Sequence, residues 1–422
     1  MTSVNESPER SECDEGTNLV ATTASSWTRI DFILIAVGTL IKFGDAAEIY
    51  LPGVITQEIS CELGLSSTQE GILGVFLFLF LAASALIAIP VSKGLGERLT
   101  LLVSMYFSIF STILCSIVPN YYILLLSRAF VGLCVGLNAA TIGVYIRKKI
   151  STDNHLTFIM FIHGSVAFPL GAAYVSIMGY LVLDVAGWRV FLLLASIPLF
   201  IPPIILLHSL LTDSSAETDL DHHDVDVENF SSRTIKLSIF QGMSKMAGYG
   251  SIILLPSLIR TYKQQNSPPN VGDCSSVITK GSDFLILAAV NGGATLLGRP
   301  LCYFLRKFFR FSYLQSFIAV NMALYYGLVL ADLGKVTSSV FLWVAVLGFS
   351  MQETESWLLM LEPKYYGRRM ALGAAVTIAS GYVGAVVGVS FASFLDPFFA
   401  VCIIVGVCVV QALVVCAMAN DT

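Results

Sequence analysis

Long apolar runs, separated by short polar segments, follow one another along most of this chain. The first six lie at about 30–54, 68–91, 99–118, 121–146, 157–183 and 188–211, and the second six at about 235–260, 282–304, 311–332, 338–361, 370–395 and 398–419. A bilayer core about 30 Å thick needs roughly 20 helical residues. The runs are continuous and not alternating, which favours helices over the strands of a membrane barrel. The pattern predicts an all-α membrane protein with twelve transmembrane helices.

One long hydrophilic break divides the twelve runs into two sets of six. Residues 212–234 are rich in Asp, Glu and Ser and include His222 and His223. Because so acidic a segment cannot bury enough apolar area to offset the cost of ordering, we favour a solvated linker over a metal site. The predicted organisation is a cytoplasmic tail, a first six-helix half, an acidic cytoplasmic linker and a second six-helix half, at residues 1–29, 30–211, 212–234 and 235–419.

Composition agrees with a membrane protein and excludes several functions. Of the 422 residues, 55% are apolar and 13% are charged, whereas a soluble domain carries about 25% charged residues. The sequence contains no Cys-x-x-Cys pair, His-Glu-x-x-His run, phosphate-loop pattern or basic nucleic-acid face. We therefore expect neither an enzyme, a metal site, a cofactor nor a nucleic-acid partner. The expected partners are the lipid bilayer and a small-molecule substrate, with a proton or another ion as the coupling species.

The distribution of Lys and Arg predicts the orientation in the membrane. With the N-terminus in the cytoplasm, sixteen of the 24 Lys and Arg residues fall on the cytoplasmic side, five on the opposite side and three within spans. Positive residues accumulate in cytoplasmic loops. We therefore place both termini in the cytoplasm and expect a monomer in the plasma membrane or an intracellular vesicle membrane.

Charged residues inside the apolar runs mark the candidate site, since a charge at the bilayer centre costs about 2.5–3.5 kcal/mol on insertion scales. Lys42, Asp45 and Glu48 recur every three residues in the first run and share one helix face. Arg128 lies at a similar depth in the fourth run, so a pair between Arg128 and one of these acids is geometrically allowed. The alternative to a functional role is a structural ion pair. The candidates in the second half are Lys245, Tyr249, Glu353 and Glu355.

These charges give a first indication of the substrate and the coupling residue. The candidate residues deep inside the runs comprise four acids (Asp45, Glu48, Glu353 and Glu355) and three bases (Lys42, Arg128 and Lys245). This slight acidic excess favours a cationic or neutral organic solute over an anion. Asp45 lies near mid-span with bases nearby that would alter its proton affinity, as a coupling residue requires. His163 also lies within a run, where a helix–helix hydrogen bond is the preferred reading over a proton relay.

Several motifs resemble those of the major facilitator superfamily. The fourth run contains Arg128-Ala-Phe-Val-Gly132, similar to the Arg-x-x-x-Gly of that family's fourth helix, and the sixth opens with Gly187-Trp188-Arg189, as in its sugar-porter and organic-ion branches. The resemblance implies two six-helix halves around a central cavity and transport by alternating access. In proton-coupled sugar carriers of the family, the acid that corresponds by motif to Asp45 is protonated and works with the arginine that corresponds to Arg128. The resemblance therefore implies that Asp45 is the coupling residue.

The synaptic vesicle two-related branch resembles the chain more closely. The first helix of that branch and the loop after it are similar to Gly44-Asp45-Ala46-Ala47-Glu48 and Cys61-Glu62-Leu63-Gly64-Leu65-Ser66. The branch's cysteine-containing loop between the seventh and eighth helices is similar to the stretch from Cys274 to Thr279. Both loops should lie on the oxidising side of the membrane. A disulfide between Cys61 and Cys274 is therefore a further prediction.

The loops that latch the two halves on the cytoplasmic side depart from the family pattern. The two–three loop reads Lys93-Gly94-Leu95-Gly96-Glu97-Arg98, where the family has Gly-x-x-x-Asp-Arg-x-Gly-Arg-Arg. Two functions therefore stay open: a secondary transporter of a small organic solute, and a transport-inactive scaffold, receptor or trafficking protein of the same fold. The candidate gate residues are Gly96, Glu97, Arg98, Glu362, Arg368 and Arg369.

Overall fold

The structure is a computed structural model that describes residues 27–150, 158–159, 162–210, 234–250, 292–293, 295–305, 308, 314, 316–324 and 370–419. These residues are helical apart from short turns, and no strand occurs among them. The predicted linker falls outside the described residues except for Thr234, and the predicted run at 338–361 falls outside them entirely.

The first half supplies most of the described helices. They are α1 (Arg29–Leu63), α2 (Ser67–Leu95), α3 (Glu97–Ile117), α4 (Tyr121–Lys149), α5 (Phe168–Met178) and α6 (Asp184–Ser209). Two π-helical stretches, His163–Ala167 and Gly179–Leu183, flank α5. The described helices of the second half are α7 (residues 234–250), α8 (Thr295–Leu305), α9 (residues 316–324), α10 (Met370–Phe394) and α11 (Pro397–Ala419), of which α10 and α11 match the last two predicted runs.

Capping residues define the ends of α1. Thr28 and Asp31 form a capping box in which the Thr28 backbone N–H donates to Asp31 Oδ2 at 2.8 Å and the Asp31 N–H donates to Thr28 Oγ1 at 3.2 Å. The helix continues through Pro52, beyond the predicted end at residue 54, and stops at Gly64, whose φ of 63° is left-handed. Cys61, which we expected in a loop, therefore lies in the last turn of α1.

Gly187 separates two predicted spans that are otherwise continuous. An apolar helical stretch runs for 42 residues from Phe168 to Ser209 and includes both α5 and α6. Gly187 interrupts it with φ 71° and ψ 169°, a conformation that glycine adopts without the steric cost of a Cβ. The break lies where the sequence predicted the boundary between the fifth and sixth spans.

Six helical stretches in the described part of the chain are long and apolar enough to cross a membrane. They are Thr68–Leu95, Glu97–Ile117, Tyr121–Lys149, Phe168–Ser209, Ala375–Phe394 and Phe398–Cys416. Large apolar side chains on these helices are exposed, among them Phe110, Ile117, Ile205 and Leu413 at 60%, 69%, 61% and 65%. Exposed apolar surface on this scale fits contact with lipid and not with water. Helix α1 is not among these six stretches, and its central part carries the charged residues Lys42, Asp45 and Glu48.

Glycines allow the helices around α2 to approach backbone to backbone. A Cβ at Gly132 of α4 would lie 2.3 Å from the Leu77 carbonyl oxygen of α2, and one at Gly136 would lie 2.4 Å from that of Leu81. Small residues at such contacts are the usual means of close packing between membrane helices. On another face, a Cβ at Gly71 of α2 would lie 2.6 Å from Ser393 Cβ of α10. Helix α2 thus joins the first half to the second.

Candidate functional site

The three charged residues of α1 lie near the middle of the helix and are buried. Lys42, Asp45 and Glu48 are 8%, 2% and 0% exposed. At 1.5 Å per residue, Asp45 lies about 24 Å from the start of α1 and Glu48 about 22 Å from its end. The burial of all three side chains agrees with their predicted place on one helix face. Glu48 lies farther from the helix end than the predicted span 30–54 implied, because α1 continues to Leu63.

Glu48 is the point at which four helices of the first half meet. Arg128 of α4 donates from Nη1 to Glu48 Oε2 at 3.2 Å. Thr112 of α3 donates to Glu48 Oε1 at 2.8 Å, and the Ser196 hydroxyl of α6 donates to the same oxygen. Two hydroxyls and a guanidinium therefore compensate the burial of this carboxylate. The sequence left open which acid pairs with Arg128, and the structure pairs it with Glu48.

Asp45 has a different and looser environment, one turn away from Glu48. Asn138 of α4 donates from Nδ2 to Asp45 Oδ1 at 3.0 Å, and the Ser104 hydroxyl of α3 donates to the Asn138 amide oxygen. Lys42 Nζ lies 3.8 Å from Asp45 Oδ2. That oxygen accepts no hydrogen bond within the described part of the chain, although it is buried. Asp45 can therefore gain a proton at Oδ2 without losing an existing hydrogen bond.

His163 lies in the π-helical stretch before α5 and packs against α1. Its Nε2 donates to the Ile35 carbonyl oxygen at 3.3 Å, so the helix–helix hydrogen bond preferred from the sequence is present. The imidazole occupies the space left by Gly38, where a Cβ would lie 2.0 Å from His163 Cε1. Gly38 is thus required for this contact.

In the second half, the described candidates Lys245 and Tyr249 lie in an aromatic cluster. Lys245 is 2% exposed, and its Nζ lies 3.8 Å from the ring centroid of Tyr382 and 5.6 Å from that of Tyr249. Phe78 of α2 reaches the cluster from the first half, with its centroid 4.9 Å from that of Tyr249. The site therefore includes Phe78 and Tyr382, which the sequence analysis missed because aromatic residues in apolar runs carry no distinguishing pattern.

Two polar side chains that precede Lys245 on α7 were also missed. Gln241 and Ser244 are both 0% exposed. Neither Gln241 amide atom nor Ser244 Oγ has a hydrogen-bond partner within the described ranges. The sequence could have identified both residues as candidates, because they are polar and lie inside the predicted span at residues 235–260. Glu353 and Glu355, the other candidates of this half, lie outside the described residues.

The described gate residues make contacts within the first half. Gly96 joins α2 to α3 with φ 81°, and Glu97 at the start of α3 pairs with Lys148 at the end of α4. Arg98 Nε and Nη2 are buried and have no hydrogen-bond partner among the described residues. The described part of this loop thus ties α3 to α4. Glu362, Arg368 and Arg369 lie outside the described residues.

A polar clamp of Glu62, Trp188 and Arg189 lies at the opposite end of the first half. Trp188 Nε1 and Arg189 Nη1 donate to the two carboxylate oxygens of Glu62, while Arg189 stacks on the Trp188 ring at 4.3 Å. The Arg189 hydrogen bond, followed by that of Trp188, holds the Glu62 pKa below its ordinary value. The adjacent Cys61 is disulfide-bonded. Cys274 lies outside the described residues, so its pairing with Cys61 stays a prediction.

No three His, Cys, Asp or Glu side chains of the described ranges converge as metal ligands would. The arrangement instead pairs buried charges near the middle of helices, which is typical of ion and solute pathways in membrane proteins. The chain matches the sequence profile of the Major Facilitator Superfamily over residues 38–389. This chain belongs to the major facilitator superfamily.

Relatives within the superfamily are distant. The chain is 25% identical over 162 residues to the synaptic vesicle 2-related protein of Xenopus laevis, a match that covers 38% of this chain and 29% of that protein. It is 23% identical over 245 residues to the gentisate transporter of Corynebacterium glutamicum, with 54% of each chain covered. The match to the vesicle protein thus spans less than a third of that protein's length.

The superfamily fold extends over nearly the whole chain. The structure resembles the xylose transporter XylE from E. coli in a partially occluded inward-open conformation, with a TM-score of 0.71 and 15% identity. The match covers 91% of this chain and 98% of the xylose transporter. It confirms the predicted all-α, twelve-helix major facilitator fold, while at this identity it carries no information on the substrate.

Proposed function

We propose that this superfamily member is a secondary active transporter that carries a small organic solute across its membrane by alternating access. The observation that supports this most directly is the buried polar centre of α1, in which two acids have different partners. Transporters of this architecture bind solute and coupling ion near the midplane, between the two halves. A similar protein is named as a transporter of gentisate, which is a small organic solute.

The coupling residue in this proposal is Asp45, with a proton as the coupling ion. Glu48 accepts three hydrogen bonds and is paired with Arg128, so its protonation would break several contacts. Asp45 Oδ2 accepts no hydrogen bond from a described residue. Uptake of a proton there would release the attraction between Asp45 and Lys42 and leave the Asn138 hydrogen bond in place. We therefore assign a structural role to Glu48 and the titration to Asp45.

The charge count does not decide the substrate class. Among the described residues, the buried charged groups inside the predicted spans are three bases, Lys42, Arg128 and Lys245, and two acids near mid-span, Asp45 and Glu48. The acidic excess that favoured a cationic or neutral solute depends on Glu353 and Glu355, which lie outside the described residues.

Uptake into reconstituted vesicles with an imposed inward proton gradient tests the coupling, starting with xylose and gentisate as solutes. We expect Asp45→Asn to insert normally, to lose gradient-driven accumulation and to retain solute exchange. Asp31→Asn is the matched control, because it makes the same change in the capping box of the same helix, far from mid-span. If Asp45→Asn accumulates solute with an unchanged pH profile, the residue is structural, and coupling must involve Glu48, Glu353 or Glu355.

The second candidate function is a transport-inactive membrane scaffold, receptor or trafficking protein of the same fold. It is favoured by the cytoplasmic loop, where Glu97 pairs with Lys148 within the first half and two Arg98 nitrogens have no described partner. The retained pair of Glu48 and Arg128 favours transport. Wild-type protein that is folded in vesicles but shows neither uptake nor exchange would support the scaffold.

A further inference from the structure

Gln241, Ser244 and Lys245 form a polar group on one face of α7, and within the described part of the chain the side chains of Gln241 and Ser244 make no hydrogen bond. Ser244 and Lys245 follow Gln241 by three and four residues, so both lie one turn away from Gln241 on the same side of the helix. A buried polar atom without a partner costs about 1–3 kcal/mol. Native proteins rarely retain such groups unless a water, an ion or a ligand completes them. Three orphaned atoms on one helix face therefore indicate a missing polar partner.

The position of this group is suited to a transported solute. Lys245 lies ten residues, or about 15 Å of helix, into the span predicted at residues 235–260, which places it near the middle of that span. A Cβ at Gly381 of α10 would lie 2.9 Å from both Gln241 Cγ and Lys245 Cδ, so both stems cross α10 at the same glycine. Phe78 of α2 belongs to the same cluster, with its centroid 6.4 Å from that of Tyr382. The group thus lies where the first half contacts the second.

The chemistry of the group favours an anion over a cation. The aromatic faces that would attract a cationic ligand already hold the Lys245 ammonium, 3.8 Å from the Tyr382 centroid. That ammonium would also repel a second positive charge at short range. A carboxylate would be attracted by Lys245, and it could accept hydrogen bonds from the Gln241 amide and the Ser244 hydroxyl. The rings of Phe78, Tyr249 and Tyr382 pack around this group and make its surroundings apolar, so the body of the ligand should be apolar as well.

We propose that Gln241, Ser244 and Lys245, with the rings of Phe78, Tyr249 and Tyr382, form a binding site for a small organic carboxylate with an apolar body. This assignment rests on the proposed transport function and specifies its substrate class. It replaces the preference for a cationic or neutral solute that the charge count suggested.

Three ligands of nearly the same shape and different charge test the assignment. Benzoate, benzamide and benzylammonium are added to the purified full-length protein at equal ionic strength, and the unfolding midpoint is measured as a function of concentration. We expect benzoate to bind with a Kd at least about tenfold lower than benzamide, as a charged hydrogen bond predicts, and benzylammonium to bind most weakly. In Lys245→Met, benzoate should lose its advantage over benzamide.

Gln411 of α11 provides a matched control for Gln241. It is also 0% exposed, and both of its amide atoms lack a partner among the described residues. Replacing either glutamine by leucine removes an orphaned amide, so neither Gln241→Leu nor Gln411→Leu should lower the midpoint of the ligand-free protein much. Only Gln241→Leu should lose the rise in unfolding midpoint that benzoate causes in the wild-type protein.

Three results would overturn the assignment: tighter binding of benzylammonium than of benzoate, an equal loss of the shift in Gln411→Leu, and no response of the wild-type protein to benzoate. These results are separable from the transport test. A protein that accumulates solute in vesicles but prefers benzylammonium keeps the proposed function and loses this site. A protein that binds benzoate as expected, without uptake or exchange, keeps the site and loses the transport function.

Discussion

Removing the charge of Arg128 should destabilise the first half strongly, because it leaves Glu48 ionised and buried without its basic partner. The Glu48 side chain is 0% exposed and that of Arg128 is 4% exposed, so solvent cannot replace the missing interaction. Breaking a buried ion pair by removing one partner costs about 3–5 kcal/mol. We expect Arg128→Met to lower the free energy of unfolding by that amount. Thr112 and Ser196 would still donate to Glu48, but neither neutralises its charge.

The double variant separates the missing partner from lost packing. Glu48→Gln combined with Arg128→Met removes both charges and retains most of the side-chain volume, so most of the loss should be recovered. The assay is reversible unfolding in mixed micelles with SDS, followed by tryptophan fluorescence. Arg147→Met, near the end of the same helix, is the control and should cost under about 1 kcal/mol. An Arg128→Met cost no larger than that of Arg147→Met, or a double variant as unstable as the sum of the single ones, would refute the reasoning.

Two further predictions concern the contacts of His163 and Glu62. Gly38→Ala should cost about 1–3 kcal/mol in the wild-type background and much less in a His163→Ala background, because the three atoms nearest to the added Cβ all belong to the imidazole. Equal costs in the two backgrounds, measured in the same unfolding assay, would contradict the packing. Because the pKa of Glu62 is lowered in the folded protein, its clamp stabilises above the unfolded pKa of about 4.3 and is lost as pH falls through the lower folded pKa. The difference in Tm between wild type and Glu62→Gln should therefore be constant from neutral pH to about pH 5 and shrink below the unfolded pKa; a difference that already disappears between pH 7 and pH 5 would mean that another group controls the clamp.

The role of the loop between α2 and α3 depends on where its charges find partners. In the described part of the chain, Glu97 is committed to Lys148, so this ion pair joins α3 to α4. A latch between the halves would need partners from the second half. The loop's departure from the family motif thus coincides with an ion pair inside the first half, while the buried centre around Glu48 is retained.

Much of the fold could be predicted from the sequence because a bilayer imposes one dominant constraint. Every span needs about 20 apolar residues in a helix that satisfies its own backbone, and this requirement is local. The helix ends were less predictable. The first helix continues to Gly64 because Pro52 does not stop it, which moved Cys61 and Glu62 from a loop to the last helical turn.

The sequence by itself determined the class of protein, the spans and the presence of buried charges, since charged residues inside apolar runs are visible without a structure. Only the tertiary structure decided their partners. Asp45 and Glu48 are one turn apart and chemically alike, but Thr112, Ser196 and Arg128 converge on Glu48 from three other helices. The orphaned amide of Gln241 likewise appears only once α7 and α10 are packed together. The partner that a buried polar side chain finds depends on which helices pack together. That packing is a property of the folded chain and cannot be read from a single segment.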